Sequence, residues 1–338
     1  MTSRFFRLAA ASAALFAGLT ASPAVAQSND LEAAFDRTFG TQVRAPQSFE
    51  ARYETSFERR IAQLADGSKG RIGVAAVDLS SGEQISILGN QRFPMASTSK
   101  IAVAATFLEG VEQGRWSLTS EFPLMIPIRS KKYSSRAAPV RKGNYMPAID
   151  LIEIMITRSS NPATDALLKV VGGPNAVNGW ARRNGIREFS IDRDIATLVR
   201  DDGEYDPVSY IDRRDSATPR AMVDLLAGLY QGKFLSRESR RVLMGAMSRT
   251  RTGKRRIPAM IPGEAEVLHK TGSLNNTSSD IGIIRTPDGR AFAVAIYVTG
   301  QGTRRNREAK IASIARALYD GYRASPRRQY ATADYGGD

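Results

Sequence analysis

The 338-residue sequence contains no cysteine and a single histidine. Without cysteine there is no thiol nucleophile, no disulfide framework and no thiolate metal site. One histidine cannot build the histidine-rich zinc centres of metallohydrolases, so neither a metal nor another cofactor is expected. Acidic side chains are also scarce: 34 Asp and Glu face 48 Lys and Arg, a formal net charge of +14. There is no internal repeat. Past residue 26 no stretch approaches the ~18–20 apolar residues that span a bilayer. What remains is hydroxyl, carboxylate and lysine chemistry on a basic chain. At 42% hydrophobic and 24% charged residues, that chain has the composition of a globular protein with a sizeable core.

The first seven residues, MTSRFFR, are basic, and Leu8 to Ala26 carry no charge. A basic start, an apolar middle and the small-residue end Ala24-Val25-Ala26 describe a signal peptide over residues 1–26, cleaved near Ala26. The Ala-rich run broken by Pro23 fits a membrane anchor less well. The expected destination is secreted or periplasmic, with no membrane association after cleavage. Export argues against a nucleic-acid partner despite the charge, and no reader motif is present. An N-terminal extension (27–48), one catalytic domain (49–323) and a frayed tail (324–338) are expected to follow.

The pattern is mixed. Helical periodicity covers about 49–65, 97–114, 149–157, 161–170, 174–184, 219–231, 236–247 and 306–323. Strands are expected at 71–78 and 83–88, and at 267–273, 278–285 and 291–300. Strands far apart in sequence with helices between them predict an α+β fold: an antiparallel sheet flanked by helices, plus an all-helical lobe from mid-chain. The cleft between two such lobes is a natural place for a site.

Three elements carry chemistry. Ser97-Thr98-Ser99-Lys100 puts a hydroxyl and an amine three residues apart, on one face of a helix start. A buried lysine there can act as the base that activates a serine nucleophile. A chain of this length holds roughly one Ser-x-x-Lys by chance, so the pattern needs its context. Ser159-Ser160-Asn161 offers a hydroxyl and an amide before Pro162; its bland reading is a helix N-cap. His269-Lys270-Thr271-Gly272-Ser273 lies in a strand-like segment. A lysine and two hydroxyls on a strand edge make an anion-recognising surface, and Gly272 lets a substrate backbone come close. His269, beside Lys270, is read as structural rather than as part of a triad.

In this order the three elements resemble the active-site-serine β-lactamases and penicillin-binding DD-peptidases, with closest similarity to the class A β-lactamases. Flanking stretches such as FPMASTSK, SSNPATDALLKVVGGPNAVNGWARRNG and RRDSATPRAM extend the resemblance from about Phe49 to Tyr322. The resemblance implies that Ser97 is the acylated nucleophile and that Lys100 is its general base or orients the group that is. It implies that Ser159 and Lys270 relay a proton to the departing nitrogen, and that Asn161 binds the acyl-side-chain amide. Thr271 and Ser273 would contact the substrate carboxylate, and the N–H groups of Ser97 and Ser273 would form the oxyanion hole. The expected partner is a small β-lactam or a peptidoglycan-derived substrate, acted on by a monomer.

The chain departs from the family where the acyl-enzyme is hydrolysed. The resemblance places the usual glutamate at Ile195 and its amide partner at Val199. Arg193 and Asp215 keep the positions of the ion pair that pins this loop, but the loop between them is longer and acidic, offering Asp202 and Glu204 as replacement bases. Three readings stay open: a β-lactamase using one of these carboxylates, a penicillin-binding DD-peptidase or esterase with slow deacylation, and a non-hydrolytic binding protein. The arginine that many relatives carry after Lys-Thr-Gly is also missing, Ser278-Ser279-Asp280 standing there, with Arg251, Arg255 or Arg256 as candidates to replace it. The acid-free segment Pro127–Met146, with Arg129, Lys131, Lys132, Arg136, Arg141 and Lys142, is expected to include the loop at the cleft mouth, with Tyr133 as its gatekeeping aromatic.

Overall fold

A computed structural model describes residues 55–325. The expected signal peptide, N-terminal extension and most of the expected tail lie outside the described residues. A five-stranded sheet, with every neighbouring pair antiparallel, is built from β1 (Gly70–Asp78), β2 (Gln84–Ile87), β8 (Glu266–Leu274), β9 (Thr277–Arg285) and β10 (Ala291–Gly300). Its spatial order is β2-β1-β10-β9-β8, which leaves β8 at an edge.

Alternation along β10 divides the core. Phe292, Val294, Ile296 and Val298 face one side, where α1 (Ser56–Leu64) and α9 (Arg304–Ala324) cover them with Ile61, Ile311, Ile314 and Leu318. Ala291, Ala293, Ala295 and Tyr297 face the other, against α7 (Pro219–Gln231) and the helical lobe. Both faces being covered explains why β10 reads as a continuous apolar run rather than an alternation.

The lobe is centred on α2 (Lys100–Glu112), buried from Lys100 through Leu108. A helix apolar on every side has to sit inside others. Around it pack α3 (Ala148–Thr157), α4 (Asn161–Val171), α5 (Pro174–Arg183) and α8 (Arg237–Ser248). Ser160 caps α4, and Gly172 closes it in the left-handed region at φ 105°.

Three features differ from expectation. The basic segment is half strand: β5 (Val140–Pro147) pairs with β4 (Glu121–Pro127), with a register shift between Pro123 and Met125. This ribbon exposes Arg141, Lys142, Asn144 and Tyr145, so it lacks the buried face that creates a period-two signal. Within the acidic loop a short helix, α6 (Ile195–Arg200), is capped by Asp194. A small sheet joins β3 (Phe93–Pro94), β7 (Ser216–Ala217) and β6 (Phe189–Ser190). It ties the loop neck to the turn bearing Ser97, because the Met95 N–H donates to the Asp215 carbonyl at 3.0 Å.

Candidate active site

Ser97 lies in a single 3₁₀ turn, Ala96–Ser99, that runs directly into α2. Ala96, just before it, is held at φ 50°, a conformation that costs an L-residue roughly 1–2 kcal/mol. The turn packs against the free edge of β8. A Cβ on Gly272 would stand 2.6 Å from the Met95 carbonyl oxygen and 2.4 Å from Ser279 Oγ. The space a Cβ would take at Gly272 is filled by the protein's own turn bearing Ser97.

The Lys100 N–H bonds back to the Ser97 carbonyl, so the two residues stand one 3₁₀ turn apart. The Lys100 side chain is fully buried, and Nζ donates to the Ser159 carbonyl (2.8 Å), Ser159 Oγ (3.2 Å) and Asn161 Oδ1 (2.7 Å). Lys270 reaches the same hydroxyl from the sheet, Nζ donating to Ser159 Oγ at 3.0 Å and to the Thr271 carbonyl at 2.9 Å. Ser159 Oγ is therefore held between two buried amines. Burial, then the charge of Lys270, holds Lys100 well below the usual lysine range, with Asp165 opposing the shift. Burial, with a smaller contribution from Arg256, lowers Lys270 to about 7 against the pull of Asp280. An amine that loses its proton near neutrality can serve as a base.

Within Ser159-Ser160-Asn161 the helix cap falls to Ser160 alone. Ser160 Oγ accepts from the Ala163 N–H, while Ser159, at φ 59°, turns its hydroxyl to the lysines. Further along β8, Ser273 is exposed to the cleft, and Thr271 Oγ1 is paired with Thr252 Oγ1 at 2.7 Å. Of the three candidate arginines, Arg251 and Arg255 are exposed and Arg256 is buried beneath the strand. The Arg256 guanidinium donates to Ser273 Oγ and to the Gly272 and Ser279 carbonyls, each at 2.7 Å. The same guanidinium is paired with Glu308 at 3.3 Å, so Ser273 is backed by an ion pair rather than by a free cation. His269 Nδ1 lies 2.9 Å from both oxygens of buried Asp280, which also accepts from the Ile257 N–H, a structural pairing.

Arg193 Nε bonds to Asp215 Oδ2 at 2.6 Å, and Asp215 Oδ1 accepts the N–H groups of Asp192 and Arg193. The two loop carboxylates face elsewhere. Glu204 pairs with Arg214 at 2.7 Å, and both oxygens of Asp202 accept the Asn275 N–H in the β8–β9 turn. Tyr205 and Tyr210 stack at 4.2 Å, folding the insertion onto itself. Ile195 is buried, and its N–H and that of Ala196 donate to Asp165, at 2.7 and 2.9 Å. Burial raises the Asp165 carboxyl to about 6. Sequence reading missed Asp165, although it stands four residues after Asn161 and so on the same face of α4.

The mouth segment is stitched to α6. Arg200 pairs with Asp201 and donates to the carbonyls of Ser134 and Arg136, Asp201 accepts the Tyr133 N–H, and Thr197 Oγ1 accepts that of Ala138. Tyr133 itself is 54% exposed, an aromatic presented to solvent at the mouth.

Residues 56–322 match the family described as "Beta-lactamase enzyme family". The extended-spectrum beta-lactamase PER-1 of Pseudomonas aeruginosa is 29% identical over 284 residues, covering 79% of this chain and 89% of that protein. Beta-lactamase CTX-M-8 of Citrobacter amalonaticus is 30% identical over 270 residues, 78% and 89% of the two chains. Among solved structures, an ancestral Gram-negative class A beta-lactamase superposes with a TM-score of 0.67 at 32% identity, over 79% of this chain and 100% of that one. A beta-lactamase from Chitinophaga pinensis gives 0.69 at 26% identity, again over 79% and 100%.

Proposed function

This chain belongs to the beta-lactamase enzyme family, and from that premise we propose that it is a class A-like serine hydrolase that opens β-lactam rings through an acyl-enzyme on Ser97. The observation that carries this reading is Ser159 Oγ held at 3.2 and 3.0 Å by two buried lysines whose ammonium forms are destabilised.

Acylation follows from that arrangement. When Lys100 loses a proton it keeps two of its three donor bonds, and the freed lone pair takes the Ser97 proton as Oγ attacks the lactam carbonyl. The oxyanion is received by the N–H groups of Ser97 and Ser273, a preorganised contribution worth roughly 3–4 kcal/mol for one such donor. The C–N bond breaks as Ser159 gives its proton to the departing nitrogen and regains one from the adjacent lysines. Asn161 Oδ1 is engaged by Lys100, which orients its amide to donate to the acyl side chain. Ser273, backed by Arg256, receives the substrate carboxylate with Thr271 beside it.

Deacylation limits turnover in this reading. Buried Ile195 offers no base, and Glu204 and Asp202 are held by Arg214 and Asn275. The same observation favours the second reading, a penicillin-binding DD-peptidase or esterase whose acyl-enzyme persists. We further infer export by the residue 1–26 leader and action as a periplasmic or secreted monomer. The test is ultraviolet-monitored loss of a penicillin: wild type should turn it over and Ser97→Ala should not. Turnover that survives Ser97→Ala would remove the assignment.

A further inference from the structure

Beside the nucleophile, the stitched mouth segment and α6 enclose a cavity of about 580 Å³, within the range that accepts small-molecule ligands. One wall is Arg129, Ser130 and Lys132. The other is Asn161, Ile195 and Val199, with Asp165 behind them. The orphaned group on the first wall is Ser130 Oγ, buried without a hydrogen-bond partner; Arg129 and Lys132 beside it are exposed at the cavity's open side, and among the described residues neither forms an ion pair. Arg200, on the same rim, is committed to Asp201 and to two carbonyls. The carboxylate of Asp165 belongs to the opposite wall, and both its oxygens accept backbone N–H groups.

Two unpaired cations and an orphaned hydroxyl facing one cavity are a receptor for an anion. Asn161 lines the same cavity and touches Lys100, so a substrate attached at Ser97 has its acyl side chain at the entrance. We propose that this cavity is a subsite for an anionic acyl side chain, with Arg129 and Lys132 reading a carboxylate and Ser130 donating to it. The enzyme therefore prefers β-lactams whose acyl side chain carries a carboxylate over the same nucleus with a neutral side chain. The inference rests on the acylation of Ser97 proposed above.

The test compares benzylpenicillin with its α-carboxylated derivative, reading the second-order rate of Ser97 acylation by quenched intact-mass spectrometry. Wild type should favour the carboxylated penicillin by roughly ten- to hundredfold, the effect of one hydrogen bond between charged groups. In Arg129→Ala/Lys132→Ala that ratio should fall to about one. Arg141→Ala/Lys142→Ala removes the same charge from exposed β5, outside the cavity, and should keep the wild-type ratio. The proposal is overturned if wild type shows no preference, if the Arg129/Lys132 variant keeps it, or if both variants lose it equally, which would assign the effect to the general field of the basic segment. Absence of acylation by either penicillin would overturn the β-lactam reading and this proposal with it.

Discussion

Replacing Lys270 with Met should stabilise the protein while stopping its chemistry. Lys270 Nζ is fully buried, and its pKa falls from 10.5 to about 7. Each unit of that fall is about 1.4 kcal/mol of lost folding free energy when the solvent holds the unfolded lysine charged, or ~4–5 kcal/mol at pH 7 and below. Methionine fills similar space and forfeits two hydrogen bonds, to Ser159 Oγ and the Thr271 carbonyl, together ~2 kcal/mol. The net expectation is a gain of ~2 kcal/mol. For a domain of this size that raises Tm by roughly 4–8 °C. Between pH 7 and 10.5 the unfolded chain binds a proton that the folded chain does not, so the lysine's penalty shrinks as pH rises. The advantage of Lys270→Met should therefore be largest near pH 6–7 and fade toward pH 10. Urea unfolding followed by the fluorescence of Trp116 and Trp180, from pH 6 to 10, measures it directly. A variant less stable than wild type at pH 6.5, or a difference independent of pH, would refute the reasoning.

Gly272→Ala should lower stability by about 1–3 kcal/mol and slow acylation at least tenfold, because its Cβ meets the Met95 carbonyl and Ser279 Oγ; an alanine variant with wild-type acylation would show that the turn is not set by this contact. Asp215→Ala strands Arg193 and frees the Met95 anchor's neighbour, at a cost of about 3–5 kcal/mol for a broken buried pair; limited proteolysis should then cut within residues 195–212 where wild type resists. Ile195→Glu places a carboxylate beside Asp165, where burial raises its pKa toward that of a useful base. It should shorten the acyl-enzyme lifetime by about tenfold or more, and an unchanged lifetime in a folded variant would argue that the missing base is not what limits turnover.

The large sheet and every long helix were legible because each buries a continuous face, as the apolar run of β10 and the 161–171 helix with its Ser160 cap and Gly172 stop show. The ribbon β4–β5 and the six-residue α6 were not, since neither presents a buried stripe long enough to create a period. Ser97, Lys100, Ser159 and Lys270 stand out in the sequence because three short motifs in one order resemble a known family; no local period links them. The partners that tune them come from remote segments: Arg256 reaches Ser273 and Asp280 pairs with His269. Asp202 and Glu204 illustrate the converse. Loop sequence offered two acids, and only the fold reveals that Asn275 and Arg214 occupy them.

The account turns on a long-lived ester at Ser97. Exposing the full chain to a penicillin, removing the excess and following intact mass over time reads both the bond and its lifetime. One adduct per chain is expected, mapped to the peptide holding Ser97, absent in Ser97→Ala, and decaying more slowly than it forms. An adduct that persists in Ser97→Ala, or wild-type turnover with no adduct at any quench time, would contradict it.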